Sequence, residues 1–183
     1  MLVADTSLPA VKTVLPRRFA DNRGFFSEVW NTRALAGAGI DVRFVQENHS
    51  FSRQAGTVRG LHFQGPPQAQ AKLVRVGRGE VLDVAVDVRR GSPTFGQHTK
   101  VRLSAENGLQ LYVPEGFLHG FMTLSDDVDL YYLVSSYWSP ECEGIVQWND
   151  PSLGIDWGID ASRVLLSKKD AEAPPFGDFK SPF

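Results

Sequence analysis

Residues 80–88 read EVLDVAVDV, and this stretch decides the fold. Apolar side chains recur there at every second position, so that Leu82 and Val84 share one face while Asp83 and Asp87 share the other. A repeat of two residues is typical of a β-strand, in which successive side chains point to opposite faces of a sheet. The stretch is therefore predicted to be a strand with one apolar and one polar face.

Similar alternation continues on both sides of this stretch. It predicts further strands at residues 25–30, 44–51, 57–63, 71–76, 98–104, 109–113, 120–124 and 128–136. Clusters of Gly, Pro, Asn, Asp and Ser interrupt these segments, as they do at turns. About nine short strands at close spacing predict an all-β protein, either an antiparallel sandwich or a jelly roll.

Helical signals are sparse. Residues 32–38 predict one short helix, which Gly39 ends. From Asp150 onward the chain is richer in Pro, Gly and Asp, and this tail is expected to wrap the barrel as loops and short helices. Because no internal repeat or low-complexity linker divides the chain, residues 1–183 are predicted to form a single domain.

Composition and charge narrow the classes of partner. Lys and Arg total 19 against 21 Asp and Glu, a net charge of −2 without a basic block, so nucleic acid is not an expected partner. No apolar run is long enough to cross a bilayer and residues 1–14 do not resemble a leader, so no membrane contact is expected. The single Cys142 leaves no internal disulfide and no cysteine cluster for zinc, and the expected compartment is the cytoplasm.

The candidate site begins with the sequence RGLHFQ at residues 59–64, followed by Lys72. Arg59 is suited to hold a phosphate, His62 to take a proton near neutral pH, and Lys72 to stabilise negative charge on an oxygen. Each of them alone would be interpreted as a solvated charge, but all three lie among Leu, Phe and Val. If strand pairing brings them together, they form a site for an anionic substrate whose chemistry moves a proton.

A histidine base needs a partner that fixes its tautomer. Asp83, on the polar face of the strand at residues 80–88, is one candidate partner for His62, and Asp170 in the tail is another. The spacing in the sequence does not choose between them.

A second histidine, His119, lies between two glycines in residues 113–121, which are predicted to form a turn. Two histidines on separate strands invite a metal interpretation, but there is no His-x-His pair and no obvious third ligand nearby. A structural histidine and a donor to a phosphate or hydroxyl group are the alternatives.

Aromatic residues form a third cluster. Tyr131 and Tyr132 are neighbours in a predicted strand and face opposite ways, so at most one of them points into the barrel and donates a proton. Trp138 offers a flat face for stacking on a base or a sugar. Ordinary packing is the alternative for all three rings.

Taken together, these segments resemble the dTDP-4-dehydrorhamnose 3,5-epimerase family. The resemblance is carried by DNRGF at residues 21–25, QEN at 46–48, RGLHFQ at 59–64, AKLVRV at 71–76, PEGFLHGF at 114–121, WNDP at 148–151 and Lys169-Asp170. It covers nearly the whole chain, and the order and spacing of the motifs make it specific. It implies a cupin-type antiparallel jelly roll with a few short helices, mainly near the C-terminus.

The resemblance also implies roles for individual residues. His62 would be the base that removes a proton next to the substrate ketone, Asp170 its partner and Asp83 a supporting residue. Lys72 would face the enolate oxygen, and Tyr132 would return a proton from the opposite side. The implied substrate contacts are Arg59 and His119 at the diphosphate, Gln46 and Asn48 at other polar groups, Trp138 at thymine in place of a common tyrosine, Glu143 and Lys169 near the mouth, and Arg23 and Glu28 in a segment that crosses to the partner subunit of a homodimer.

The implied reaction is epimerisation of dTDP-4-dehydro-6-deoxy-D-glucose at C3 and C5, which gives dTDP-4-dehydro-L-rhamnose. A 4-keto sugar has acidified hydrogens on both carbons, so a base, an oxyanion stabiliser and an acid on the opposite face suffice. No cofactor and no metal are therefore expected. The alternatives are an epimerase of C3 or C5 alone on a related nucleotide sugar, a non-catalytic cupin that binds sugar nucleotides, and a metal-dependent cupin oxygenase or isomerase.

Overall fold

The structure is a computed structural model that describes residues 1–183. It contains thirteen strands, two short α-helices and two single-turn 3-10 helices. The strands are β1 (Leu2–Asp5), β2 (Lys12–Leu15), β3 (Arg18–Asp21), β4 (Gly24–Ser27), β5 (Gln46–Ser52), β6 (Val58–Gln64), β7 (Lys72–Arg78), β8 (Glu80–Asp87), β9 (His98–Ser104), β10 (Gln110–Val113), β11 (Phe117–Thr123), β12 (Val128–Val134) and β13 (Glu143–Ile145). The helices are α1 (Thr32–Gly37), α2 (Lys168–Ala171) and the 3-10 helices Ala161–Arg163 and Phe176–Asp178.

The strands form two facing sheets and a separate hairpin. One sheet has six strands in the order β1-β2-β10-β7-β12-β5, and the other has five in the order β13-β6-β11-β8-β9. Strands β3 and β4 pair only with each other. All strand pairs are antiparallel, which confirms the predicted all-β jelly roll. No helix of the structure is both long enough and apolar enough to span a membrane.

Much of the space between the sheets is filled by an apolar core. Val74 from the six-stranded sheet and Val81 and Phe117 from the five-stranded sheet belong to it, all of them buried. A second core lies outside the five-stranded sheet, where Val84 packs under Trp157 of the tail. Burying both faces of one sheet in this way removes more apolar surface from water than a two-layer sandwich would.

The face of residues 80–88 that was predicted to be polar is buried. Asp83 and Asp87 are buried and point between the sheets, together with Val81. The opposite face, with Val84, is covered by the tail from Asp150 onward. The tail wraps the barrel as loops and short helices, as the sequence indicated, and from Asp83 onward β8 is buried on both faces.

Other predicted elements differ from the structure in length or position. The strand predicted at residues 25–30 ends at Ser27, and it pairs with β3 of its own chain. His119 lies inside β11 and not in a turn. The prediction missed β1, β2, β3 and β13, which have four residues or fewer and so are too short for a clear period. The helix predicted at residues 32–38 is α1, which Asn31 caps by accepting a hydrogen bond from Ala34 N.

A bulge in β6 decides which of its side chains enter the barrel. His62 lies opposite His119 on β11 and Arg59 lies opposite Phe121, so β6 uses three steps where β11 uses two. The extra residue shifts the alternation by one position. Arg59 and His62 consequently both face the interior although they are three residues apart, while Leu61 packs in the outer core.

Gly60 makes the bulge possible. Its φ of +128° disfavours any residue with a Cβ, and an added Cβ would lie 2.6 Å from Gly120 Cα on β11. We predict that Gly60→Ala lowers the free energy of unfolding by roughly 1–3 kcal/mol or more. Denaturant unfolding measures this difference.

Gly24→Ala is the matched control for this variant. Gly24 has a similar φ of +133°, but nothing lies within 4 Å of the position of an added Cβ. The control therefore carries the backbone strain without the steric clash. Equal stability losses in the two variants would contradict a role for the close contact between β6 and β11.

Candidate active site

A polar cavity opens between the two sheets and adjoins the apolar core. It has two adjoining lobes with volumes of about 360 Å³ and about 300 Å³. Both lobes share the side chains of His62, Lys72, Tyr132 and Glu143. The first lobe continues along Gln46, Asn48, Phe63, Gln64, Gln70 and Trp138, and the second along Arg59, His119, Phe121, Ser167, Lys169 and Asp170.

The residues of the sequence motif meet by facing one another across the barrel. His62 and Arg59 lie on β6 in the five-stranded sheet, whereas Lys72 lies on β7 in the six-stranded sheet. The three residues therefore come together, but the expectation that strand pairing would do this is wrong, because β6 and β7 lie in different sheets. The two strands are joined by the loop at residues 65–71, which crosses from one sheet to the other.

The structure decides which carboxylate partners His62. Asp170 Oδ1 lies 2.7 Å from His62 Nε2, while Asp83 is hydrogen-bonded to His119. Because Nε2 is held by Asp170, Nδ1 is the ring nitrogen left to accept a proton. The side chain of Asp170 is 5% exposed and that of His62 is 29% exposed, so the carboxylate is covered and the imidazole is open to the cavity.

Asp170 is held in place by its neighbours. It lies in α2, whose capping residue Ser167 donates a hydrogen bond to Asp170 Oδ2 at 2.6 Å. Burial would raise the pKa of Asp170, but hydrogen bonds from His62 and Ser167 outweigh it and lower the pKa below its usual value. Asp170 is therefore a carboxylate at neutral pH and is suited to stabilise a positive charge on His62.

Lys72 is a cation without a bonded partner. Burial lowers the pKa of its ammonium to about 8, while the charges of Asp83 and Glu143 act in the opposite direction. An ammonium in this position has its hydrogens free for a negatively charged oxygen in the cavity. It stabilises such an oxygen more strongly than a solvated lysine would, since little water screens it.

Tyr131 and Tyr132 are neighbours on β12, and their side chains point to opposite faces of the sheet. Tyr132 packs against the inner core and lines both lobes of the cavity. Tyr131 lies on the outer face of the sheet, stacked on His49 with ring centroids 4.3 Å apart. Burial raises the pKa of the Tyr132 phenol, although Arg59 lowers it in part, so the phenol is protonated and able to donate.

His119 belongs to a second pair of histidine and aspartate. Its Nε2 lies 2.7 Å from Asp83 Oδ1, and both side chains are buried. His119 and His62 are direct neighbours across β11 and β6, so the two pairs stand side by side on the same wall of the cavity.

The mouth of the cavity carries charged residues. Arg59 donates hydrogen bonds to Ser52 Oγ at 3.2 Å and to the Phe51 carbonyl at 3.0 Å. Glu143, on β13, forms an ion pair with Lys169 of α2. This ion pair ties the tail to the edge strand of the five-stranded sheet.

Amide side chains position the wall of the first lobe. Gln46 donates to Asn48 Oδ1 at 2.7 Å and accepts a hydrogen bond from Trp138 N at 3.4 Å. Buried Gln64 donates to the Tyr137 carbonyl at 3.0 Å and accepts from Ser139 N at 2.9 Å. These bonds fix the backbone on both sides of Trp138, a residue that is 60% exposed at the rim.

Arg23 and Glu28 do not reach this cavity in their own chain. The Arg23 side chain is 84% exposed and paired with Asp21 at 2.6 Å, in the hairpin of β3 and β4. Glu28 accepts a hydrogen bond from Asn31 Nδ2 at 3.0 Å and lies in a different cavity, on the outer side of the six-stranded sheet.

Two residues that support the site received no role from the sequence. Ser167 caps α2 and bonds to Asp170, and Gln64 secures the loop of Trp138. Ser167 stands three positions before Asp170, a cap pattern that the sequence does contain. Gln64 carried no such signal, because its partners are backbone groups of distant residues.

The side chains offer no evident metal-binding group, since no three His, Cys, Asp or Glu residues cluster in a suitable arrangement. The two histidines of the cavity are each engaged by one carboxylate. The arrangement as a whole provides a base with its partner, an unpaired cation and a protonated phenol around one space. Such a set is suited to remove a proton next to a carbonyl group and return it elsewhere.

Comparisons with known proteins agree with this chemistry. A family model described as dTDP-4-dehydrorhamnose 3,5-epimerase matches residues 5–178. The dTDP-4-dehydrorhamnose 3,5-epimerase of Pseudomonas aeruginosa is 51% identical over 173 residues, which cover 94% of each chain. That of Salmonella typhimurium is 50% identical over 175 residues, which cover 95% of this chain and 94% of the relative.

A solved structure shares the whole fold. The dTDP-6-deoxy-D-glucose-3,5-epimerase of Legionella pneumophila Philadelphia 1, in complex with dTDP-4-keto-L-rhamnose, superposes with a TM-score of 0.93 at 44% identity. The superposition covers 98% of this chain and 94% of the other.

Proposed function

The chain belongs to the dTDP-4-dehydrorhamnose 3,5-epimerase family, and from that premise we propose which of its side chains carry out the two epimerisations. The enzyme converts dTDP-4-dehydro-6-deoxy-D-glucose to dTDP-4-dehydro-L-rhamnose by inverting C3 and C5. Both carbons flank the C4 ketone, so loss of a proton from either gives an enolate that is stabilised on the same oxygen. One set of groups can therefore serve both carbons.

In the proposed mechanism, His62 removes the proton through Nδ1, and Asp170 stabilises the imidazolium that results. Lys72 donates to the enolate oxygen as negative charge develops there. Tyr132 then returns a proton from its phenol to the opposite face of the carbon. The base lies on the five-stranded sheet and the acid on the six-stranded sheet, so the sugar is held between them and inversion follows.

The observation that carries this proposal is the convergence of His62, Lys72 and Tyr132 on the space shared by both lobes. A protein that only binds a sugar nucleotide needs neither an ordered His–Asp pair nor a phenol on the facing wall. The geometry therefore favours catalysis over binding alone.

The remaining contacts between the protein and its substrate are proposed from the charge and shape of the side chains. We propose that Arg59 and His119 bind the diphosphate, that Gln46 and Asn48 contact polar groups of the substrate, and that Trp138 stacks on the thymine ring. Glu143 and Lys169 are proposed to contact the substrate at the mouth. We further propose a cytoplasmic location, since a dTDP-sugar carries a charged diphosphate that does not cross a bilayer unaided.

We also propose that the 183 residues form a single domain that works as a homodimer. The hairpin of β3 and β4 exposes Phe19 by 50%, Phe25 by 58% and Phe26 by 71%, an apolar surface that a second copy would bury. Arg23 and Glu28 flank these rings and lie outside the cavity of their own chain. Their proposed role in nucleotide binding thus requires the neighbouring subunit.

We predict that His62→Ala abolishes solvent exchange at both C3 and C5 while the fold is retained. Incubation with dTDP-4-dehydro-6-deoxy-D-glucose in deuterated water, followed by NMR, measures label at each carbon. Loss of a general base typically costs about 10²–10⁴-fold in rate. His98→Ala is the control, because His98 lies on β9 outside the cavity. Near-normal exchange in His62→Ala would contradict the assignment, and label at one carbon alone in the unaltered enzyme would favour the single-carbon alternative.

We predict that Tyr132→Phe separates proton removal from epimer formation. The base and Lys72 remain, so substrate hydrogen is still lost, but the phenol that protonates the opposite face is gone. Comparison of the rate of hydrogen loss with that of product formation checks this. Tyr131→Phe removes a phenol from the outer face and should leave both rates unchanged; the opposite pattern would reverse the assignment of the acid.

We predict a dimer in sedimentation experiments and complementation between two defective subunits. His62→Ala subunits keep Arg23, and Arg23→Ala subunits keep His62, so a mixed dimer contains one complete site if Arg23 acts across the interface. Mixing the two variants after partial unfolding and refolding should restore activity that neither shows alone. A fully active monomer, or mixtures without any gain, would contradict the proposal.

A further inference from the structure

The carboxylate that pairs with His119 has a buried oxygen that nothing in the structure engages. Asp83, on β8, bonds to His119 through Oδ1, but its Oδ2 is buried without a hydrogen-bond partner. An unengaged carboxylate oxygen in a protein interior is costly, because it has lost its water without replacement. The mechanism described above makes no use of this charge.

The other unengaged charge nearby is the ammonium of Lys72. It lines the same lobe of the cavity as His119, the hydrogen-bond partner of Asp83, and Asp83 is the first of the two carboxylates whose charge acts on it. The second, Glu143, already pairs with Lys169. The groups around this space are Arg59 and His62 on β6, Asp83 on β8, His119 on β11, Tyr132 on β12, Glu143 on β13, and Lys169 and Asp170 on α2.

We propose that Asp83 is a positioning residue: its single carboxylate orients His119 and supplies the buried negative charge that holds Lys72 in its cationic form. The inference rests on the proposed role of Lys72 at the enolate oxygen. It assigns to Asp83 a function different from the support of His62, since His62 is served by Asp170.

The direction in which Asp83 shifts the pKa of Lys72 follows from the charges of the two groups. Burial disfavours the charged form of Lys72 and brings its pKa to about 8, while the nearby carboxylate favours the charged form. In the unaltered enzyme kcat should therefore fall as the pH rises through about 8, because Lys72 loses its proton. Removal of the Asp83 charge lowers the pKa of Lys72 further, so the same decline should begin at a lower pH.

The test is the pH dependence of kcat and KM for Asp83→Asn, measured from about pH 6 to about pH 10. The amide can still accept the hydrogen bond from His119, so the ring keeps its orientation while the charge is lost. We expect the alkaline decline of kcat to move down by about one pH unit or more. Asp83→Glu, which restores a carboxylate, should bring the decline back towards its original position.

Asp87→Asn is the matched control. Asp87 lies on the same face of β8 and is equally buried, but Arg89, Ser92 and Thr94 hold its carboxylate away from the cavity. This variant should lose stability without moving the alkaline decline. Asp83→Thr provides a second neutral replacement of different shape if the asparagine variant fails to fold.

Titration of the lysine ¹³Cε resonances by NMR, without substrate, gives a readout that does not depend on turnover. The resonance absent from Lys72→Arg identifies Lys72. A lower titration midpoint in Asp83→Asn supports the inference. An unmoved midpoint near pH 8 overturns it and leaves the proposed role of Lys72 intact, whereas an ordinary lysine midpoint of about 10.4 in the unaltered protein overturns both.

Discussion

The contact between the backbones of β6 and β11 at Gly60 and Gly120 is the constraint on which the site depends. It allows one extra residue in β6, and that residue turns both Arg59 and His62 towards the interior. In a regular strand, residues three apart face opposite sides, so one of the two would point into the outer core. The same contact sets His62 beside His119, which brings both histidine–aspartate pairs onto one wall.

The interior of the barrel contains both an apolar core and a polar cavity. Val74, Val81 and Phe117 belong to the apolar core between the sheets, while Lys72 and Asp83 occupy neighbouring inward-facing positions of β7 and β8. Strands are well suited to this division, because a side chain two positions further along faces the same side. The apolar core supports an adjoining polar cavity whose charges are only partly paired, and such incomplete pairing is what a charged substrate and a developing enolate require.

Much of the fold could be predicted from the sequence, because most strands have seven or eight residues and a clear period of two. The chemical groups of the site were also evident, since His62, Lys72 and Tyr132 stand out by residue type. The period alone could not reveal the bulge at Gly60, which changes the phase of β6, or the burial of Asp83 on the face that was predicted to be polar. The choice between Asp83 and Asp170 as partner of His62 depended on where the tail lies, and no local pattern encodes the contacts of a tail with a distant strand.

The position of Asp170 makes the proposed catalytic base, His62, depend on the attachment of the tail. Asp170 belongs to the tail, which covers the outside of the barrel and is joined to it by the ion pair of Lys169 and by side-chain packing. Layers of this kind open locally at a lower free-energy cost than the strands beneath them. A transient detachment of the tail would leave an intact barrel in which the imidazole of His62 lacks its carboxylate. The enzyme would therefore lose activity under conditions milder than those that unfold its sheets.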